Sequence, residues 1–172
     1  MNSIFYFLTS MKKYKAFTLL GIILYVGMTA IILVAATYFF IDATKDQAKA
    51  YVVVEVNQNF RFAMDRMTRA IRQAKDITSL DSQTLVLDRT PDPDITLEFD
   101  PVDKKATYQV GTGPTQDLTT ARVLATGSFS DRSSTNTKNI YINLDIEFNN
   151  QGTDINFSYS SAASTTVELR GY

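Results

Sequence analysis

The chain has 172 residues, with 17 basic and 18 acidic side chains and a formal net charge of −1, which is enough sequence for one modest domain. It contains neither cysteine nor histidine, so disulfides, zinc–thiolate sites and a Ser-His-Asp triad are excluded. Without residues 1–16 it loses three lysines and no acids, and the remaining net charge of −4 argues against a nucleic-acid partner. We therefore expect a structural or binding protein without a cofactor or metal, and not an enzyme.

The first residues predict a short basic leader, residues 1–16. Lys12, Lys13 and Lys15 place three positive charges within four positions. Residues 1–10, MNSIFYFLTS, are apolar and uncharged, whereas MKKYKA from Met11 is a compact basic leader by itself. Translation from Met11 is therefore an alternative start.

The next segment predicts a membrane helix. Residues 16–41 run for 26 positions without a charge, and at ~1.5 Å per residue they form a helix of roughly 39 Å, which exceeds the ~30 Å hydrocarbon core of a bilayer. Basic residues on its N-terminal side hold that end in the cytoplasm. We predict a single-pass protein of the inner (cytoplasmic) membrane whose remaining residues lie outside the cytoplasm.

From residue 42 to 78 the pattern predicts that the helix continues in an amphipathic form. Apolar residues recur at steps of three and four, which place them on one helix face: Val52, Val56, Phe60, Ala63, Met67, Ala70, Ile71 and Ala74. The arginines between them are interpreted as a solvated face, with Asp65/Arg69 and Arg72/Asp76 pairs: Arg61, Arg66, Arg69 and Arg72. The alternative for residues 51–56, YVVVEV, is a short strand, because β-branched residues are stiff in helices.

Beyond residue 79 the apolar period falls to two, which predicts strands. Residues 140–148 show this most clearly, with Ile140, Ile142, Leu144, Ile146 and Phe148 on one face. The predicted strands are 84–87, 95–99, 106–110, 121–125, 140–148, 155–159 and 165–169, and residues 131–139 are predicted as an exposed loop.

These elements predict an α+β fold in which one long N-terminal helix packs on a mainly antiparallel β-sheet. The predicted boundaries are a leader (1–16), a transmembrane half of the helix (17–41), an amphipathic half (42–78) and a β-rich globular head (79–172). The amphipathic half is expected to cover the apolar face of the sheet.

The order of these elements resembles the type IV pilin and pseudopilin family. Residues 13–20, KYKAFTLL, look like a prepilin cleavage site, and residues 57–77, NQNFRFAMDRMTRAIRQAKDI, with the terminal TTVELRGY, are similar to PilW/PulJ-type minor pilins. The resemblance implies that a prepilin peptidase cuts between Ala16 and Phe17 and that the Phe17 amine is methylated. It also implies a pilin-like fold, partners among other pilin or pseudopilin subunits and an inner-membrane assembly platform, and a final location in a cell-surface pilus or periplasmic pseudopilus.

Two positions depart from the family pattern. Position 16 is Ala where the family usually has Gly, and Gly21 occupies the fifth mature position, where most members carry glutamate. In the family that glutamate neutralises the N-terminal amine of a neighbouring subunit in the apolar filament core, where an unpaired charge is costly. Gly21 therefore indicates a tip or initiation subunit, or divergence of this lineage.

Three other interpretations of the sequence remain open. The first is a signal-anchored, single-pass extracytoplasmic binding domain unrelated to filaments. The second is a secreted protein cut after Val34-Ala35-Ala36. The third is an enzyme or calcium site built on Asp92, Asp94, Asp100 and Asp103. The sequence does not distinguish a pilus, a secretion pseudopilus and a DNA-uptake apparatus, and it does not name a ligand of the head.

Overall fold

The computed structural model describes residues 3–135, 137–150, 152 and 157–170, with side chains from Thr18 onward. This part of the chain forms one long helix, α1 (Ser3–Gln73), followed by antiparallel strands, which confirms the α+β class. The strands are β1 (Asp76–Leu80), β2 (Thr84–Arg89), β3 (Asp92–Asp100), β4 (Lys105–Val110), β5 (Gln116–Asp117), β6 (Val123–Asp131), β7 (Asn139–Phe148) and β8 (Ser160–Glu168). The chain divides into two compact units, Met1–Asp46 and Gln47–Tyr172.

The second compact unit (Gln47–Tyr172) includes the C-terminal part of α1. The predicted apolar stripe is buried there from Val52 to Ala74, and only Phe60 among its members keeps partial exposure. Residues 51–56 are helical, so the strand alternative for YVVVEV is wrong. All four arginines of the predicted solvated face are exposed, as expected.

Helix α1 ends at Gln73, five residues before the predicted end at residue 78. The Ala74 N–H donates to the Ile71 carbonyl at 3.2 Å, and the Lys75 N–H donates to the Asp88 carbonyl at 2.8 Å. From Asp76 onward the backbone pairs with β2. The helix does not continue because the backbone from Lys75 onward pairs with β2 and not with the preceding helical turn.

This early end also changes one predicted ion pair. Asp65 and Arg69 form the expected pair at 2.8 Å. The Arg72/Asp76 pair is wrong: Asp76 lies in β1 and forms its ion pair with Lys138. The spacing of four residues brings side chains together only while the backbone stays helical.

The described strands form two sheets, whereas a single sheet was predicted. The first has the order β1-β2-β3-β4-β5 and the second β6-β7-β8, and all pairings are antiparallel. The turn between β2 and β3 is at Thr90–Pro91, whose peptide bond is cis. Asp92 to Asp94 belong to β3, which thus begins three residues before the predicted start at residue 95.

Both sheets contribute one face to the same core as the helix stripe. Phe99 of β3 stacks on Phe129 of β6 with ring centroids 4.8 Å apart. Gly127 is required beside this pair, because a Cβ there would lie 2.4 Å from the Asn143 carbonyl and 2.6 Å from the Phe99 ring. The core thus joins the two sheets through β6.

The second sheet shows where alternation was informative and where it was not. In β7, Ile140, Ile142, Leu144 and Ile146 are fully buried, as predicted, and β8 pairs with β7 from Asn139 to Glu147. Strand β6 runs to Asp131, well beyond the predicted end at 125, and β8 begins at Ser160, five residues before the predicted start. The predicted strand 155–159 is wrong for residues 157–159, and its first two residues lie outside the described part.

Candidate functional site

The predicted processing site lies within the N-terminal part of α1. Lys12, Lys13, Lys15, Ala16 and Phe17 all fall inside the helix range, but the described side chains begin at Thr18. Cleavage between Ala16 and Phe17 and methylation of Phe17 therefore stay predictions.

The apolar segment is the stretch of residues 18–41, and its apolar side chains are exposed. Leu24 is 62% exposed, Ile31 71% and Phe39 77%. Because of this segment, α1 is the one described helix that is long and apolar enough to cross a membrane. The mean hydropathy over 18 of its residues reaches 2.6. A membrane anchor and a signal sequence both have this character.

Two hydroxyl groups of this segment form hydrogen bonds with the backbone of the helix itself. The hydroxyls of Thr29 and Thr37 donate to the Tyr25 and Leu33 carbonyls, each at 2.8 Å. Because a helix pairs its own backbone groups, a segment of this kind presents little unpaired polarity to an apolar medium.

Gly21 lies in the apolar segment and makes no close contact. A Cβ added there would meet no described atom within 4 Å. Glycine inside a helix costs roughly 1 kcal/mol relative to alanine, and no close contact among the described residues explains a glycine at this position.

A polar cluster missed by the sequence analysis joins α1 to the loop before β6. The Thr120 N–H donates to Asn59 Oδ1 at 2.8 Å, and the Thr120 hydroxyl donates to Glu55 Oε1 at 2.9 Å. Asn59 also donates to the Glu55 carbonyl at 2.9 Å. Asn59 is 7% exposed and lies three residues after Val56, on the side of the apolar stripe. A polar residue beside such a stripe was the only signal available in the sequence.

An open cleft of about 410 Å³ lies over this cluster. Its lining combines carboxylates, amides, hydroxyls and an aromatic ring: Glu55, Gln58, Asn59, Phe62, Asp117, Leu118, Thr119 and Thr120. Thr119 is 6% exposed, and its Oγ1 has no hydrogen-bond partner among the described residues. These groups can exchange hydrogen bonds with a polar ligand.

Arginine–tyrosine contacts surround the same part of α1. The Arg66 guanidinium lies 4.6 Å from the centre of the Tyr108 ring, and Arg122 both lies 5.8 Å from the Tyr51 ring centre and donates to the Tyr51 hydroxyl. Contacts of this type stabilise exposed sites modestly. They attach the helix to β4 and to the loop before β6.

The four acids proposed for an enzyme or calcium site do not come together. Asp92 pairs with Arg89 at 3.4 Å, and Asp100 accepts the N–H groups of Val102 (2.8 Å) and Asp103 (3.1 Å) in a turn. No group of three acidic residues in the described part of the chain is arranged to hold a metal ion. Asp92 thus forms an ion pair at the start of β3, and the Asp100 carboxylate accepts hydrogen bonds in a turn.

The shifted pKa values have the same structural origin. The Asp103 and Val102 N–H groups lower the pKa of Asp100, and the Thr90 hydroxyl and N–H lower the pKa of Asp88. Ser133 lowers the pKa of Asp131, and the Lys138 ammonium is the main cause of the lowered pKa of Asp76. Each shift favours the charged carboxylate, so none of these groups is poised as an acid near neutral pH.

Comparison with family models, curated proteins and solved structures finds no match for this chain.

Proposed function

We propose that this protein is a minor type IV pilin or pseudopilin, a structural subunit that assembles through its N-terminal helix into a pilus or secretion pseudopilus. The observation that carries the proposal is the contrast between two parts of one helix. The apolar side chains of the apolar segment are exposed, whereas the apolar stripe that follows it in the same helix is buried. A helix of this kind requires an apolar medium for one part and its own domain for the other. A filament subunit needs both, first in the membrane and then in the filament core.

The sequence around residue 16 adds a processing step to this proposal. The motif KYKAFTLL stands at the junction of the basic leader and the apolar segment. We expect a prepilin peptidase to cut after Ala16 and a methyl group to be added to the Phe17 amine. The carboxylates of Asp88 and Asp100 accept backbone N–H groups in turns, which supports a structural role for these two acids.

Processing is tested by intact-mass and N-terminal analysis of the protein purified from cells with and without a prepilin peptidase. When the peptidase is present, we expect a chain that begins at methylated Phe17. Without the peptidase, we expect the leader to be retained. An Ala16→Asp variant serves as the uncleavable control. A chain that keeps Lys12 to Ala16 in both strains would contradict the pilin proposal and leave the signal-anchored binding domain.

Gly21 leads to a proposed position at one filament end. An N-terminal amine without a carboxylate partner costs several kcal/mol in an apolar core, and a shaft built from such subunits would leave one amine unpaired at every step. A subunit at the tip has no subunit ahead of it, so the missing carboxylate has no cost there. The space around Gly21 accommodates a larger side chain within the chain.

The tip position is tested by immunogold labelling of filaments that carry the native protein or the Gly21→Glu variant. We expect sparse labelling at one end for the native protein, and labelling along the shaft or unchanged assembly for Gly21→Glu. Gly27→Glu is a matched control, because Gly27 lies in the same apolar segment and also has open space around it. Labelling of the native protein along whole filaments would contradict the tip position and favour lineage divergence.

A further inference from the structure

Strand β8 (Ser160–Glu168) forms an open edge of the second sheet. Strand β7 pairs with all nine of its residues, from Asn139 opposite Glu168 to Glu147 opposite Ser160, without a break in register. In the described part of the chain no strand lies on the other side of β8. A complete row of backbone groups is therefore directed away from the sheet.

Hydrogen bonds at the two ends of β8 identify the outward-facing residues. The Phe148 N–H donates to the Tyr159 carbonyl and the Leu169 N–H donates to the Lys138 carbonyl, both at 2.9 Å. In an antiparallel strand the N–H and C=O of one residue point to the same side, and successive residues alternate. Odd-numbered residues thus face β7. The backbone N–H and C=O groups of the even-numbered residues therefore point away from β7. All of these residues are exposed: Ser160, Ala162, Ser164, Thr166 and Glu168.

The other sheet edges are short, irregular or covered. Strand β5 has two residues, and β1 has five with a register shift between Ile77 and Ser79. The outer side of β6 donates to carbonyls of two turns, from Ala125 to Lys104 (2.7 Å) and from Phe129 to Ser82 (2.8 Å). These are the ordinary ways in which proteins prevent edge pairing.

Strand β8 has none of these protections. Its sequence, SSAASTTVE, contains no proline and no lysine, and its pairing with β7 contains no bulge. The outward backbone groups of these nine residues have no partner among the described residues. A regular edge of this kind is a template for the addition of another strand.

We propose that β8 is the surface through which two copies of this chain associate, by antiparallel pairing of β8 with β8. The strand is complementary to itself because Glu168, at one end, is its single charge. Antiparallel pairing separates the two Glu168 carboxylates to opposite ends, so no like charges meet. The two three-stranded sheets then become one continuous sheet.

The side chains of β8 favour a second copy over an unrelated peptide. Strand addition obtains specificity for a peptide from pockets that receive alternate side chains. Residues 160–166 of β8 are serine, alanine and threonine, which are too small to form the walls of such pockets. They instead allow two identical strands to approach without a steric obstacle. The pairing requires neither the leader cleavage nor a filament.

The absence of cysteine from the chain allows a direct test with single-cysteine variants of the full chain in detergent micelles. Ala162→Cys, Ser164→Cys and Thr166→Cys are treated with a short bismaleimide crosslinker. The control is Asn143→Cys, because Asn143 lies opposite Ser164 on β7, one strand further from the proposed interface. We expect dimer yields at least five-fold above the control, highest at the position nearest the twofold axis and lower on either side.

A second set of variants tests the backbone pairing itself. In the Ala162→Cys background, Ser164→Pro removes an outward N–H and leaves the β7 ladder intact, so we expect crosslinking to fall at least five-fold with little change in melting temperature. Ser164→Lys, a charge on the edge, is the second variant in case proline disturbs the fold, and we expect the same loss. The proposal is overturned if the three edge positions crosslink no more than Asn143→Cys. It is also overturned if neither substitution lowers the yield in a folded protein.

Discussion

The two parts of α1 differ in how their apolar side chains are used. In the apolar segment (residues 18–41) Leu24 and Ile31 are more than half exposed, whereas in residues 47–73 Val56 and Met67 are fully buried. The first part is apolar around the whole helix, and the second only along a stripe. Apolar content alone therefore does not predict burial within the chain, because burial requires a partner surface of matching shape.

The two parts of α1 therefore have different surroundings. The stripe in residues 47–73 is buried against the two sheets, whereas the apolar side chains of the apolar segment are exposed. Five changes to the chain test this comparison and the packing of the second compact unit, and they follow in order of decreasing expected effect.

Removal of residues 1–44 should leave a folded protein. Every core side chain of the described part lies at Val52 or beyond, so a fragment 45–172 keeps the stripe and all eight described strands. We expect it to be soluble and to unfold in one cooperative transition, measured by circular dichroism on heating. A fragment that aggregates, or that melts without a transition, would show that the apolar segment contributes to the fold.

Met67→Asp should destabilise that fragment severely. Met67 is fully buried in the core, and Met→Ala changes at such positions already cost about 2–5 kcal/mol, to which a buried charge adds. Chemical denaturation measures the loss. Phe62→Asp, on the same helix but 58% exposed, should have little effect, and equal stability of the two variants would refute the proposed cover of the sheets by the helix.

Ile31→Asp should act on membrane association and not on the fold. An aspartate at the centre of a membrane helix costs about 2.5–3.5 kcal/mol on insertion scales. We expect a reduced membrane fraction after carbonate extraction of cells, with Ile31→Val as the control. If Ile31→Asp stayed fully in the membrane fraction, the apolar segment would not be the anchor.

Asn59→Ala should lower the free energy of unfolding by about 0.5–1.5 kcal/mol, because the Thr120 N–H loses its acceptor, the side-chain oxygen of the buried Asn59. Gln58→Ala is the matched control, since Gln58 is the exposed neighbour that also lines the cleft. Denaturation curves of the two variants give the difference. Similar midpoints would mean that the polar cluster does not attach the loop to the helix.

Asp100→Asn should make stability less sensitive to acid. The pKa of Asp100 is lowered in the folded protein, so its contribution is fully present above the ordinary value of 3.8 and is lost as the pH falls through the lower folded pKa. We expect the melting temperature of the variant to fall less steeply below about pH 4 than that of the parent. Glu98→Gln, on an exposed position of β3, is the control, and parallel pH profiles for the Asp100→Asn variant and its parent would contradict the assignment.

Local patterns predicted much of the fold. The stripe from Val52 to Ala74 and the alternation from Ile140 to Ile146 were both confirmed, because each depends only on the period of one element. The end of α1 was not predictable in this way, since residues 75–77 carry helix-compatible side chains and pair with β2 instead. Strand β8 was underestimated because Ser160 to Thr165 lack the apolar alternation of a strand and are ordered by β7.

The candidate sites divide along the same line. The apolar segment could be found from composition, whereas the Glu55–Asn59–Thr120 cluster joins residues 61 and 65 positions apart. Nothing in the local sequence around Thr120 indicates that its N–H requires an acceptor from the helix. The open edge of β8 likewise depends on the order of strands in the sheet.

The sequence alone was sufficient for the apolar helix, the amphipathic stripe and the α+β class, because hydrophobic periodicity and charge distribution act over neighbouring residues. The tertiary structure decided the division into two sheets, the end of α1 at Gln73, the polar cleft and the exposed edge of β8. Each of these depends on which distant backbone groups become hydrogen-bonding partners, and on where bulky side chains such as Phe99 leave room only for Gly127. Such choices are made by the packing of the whole domain and leave no periodic signal in the chain.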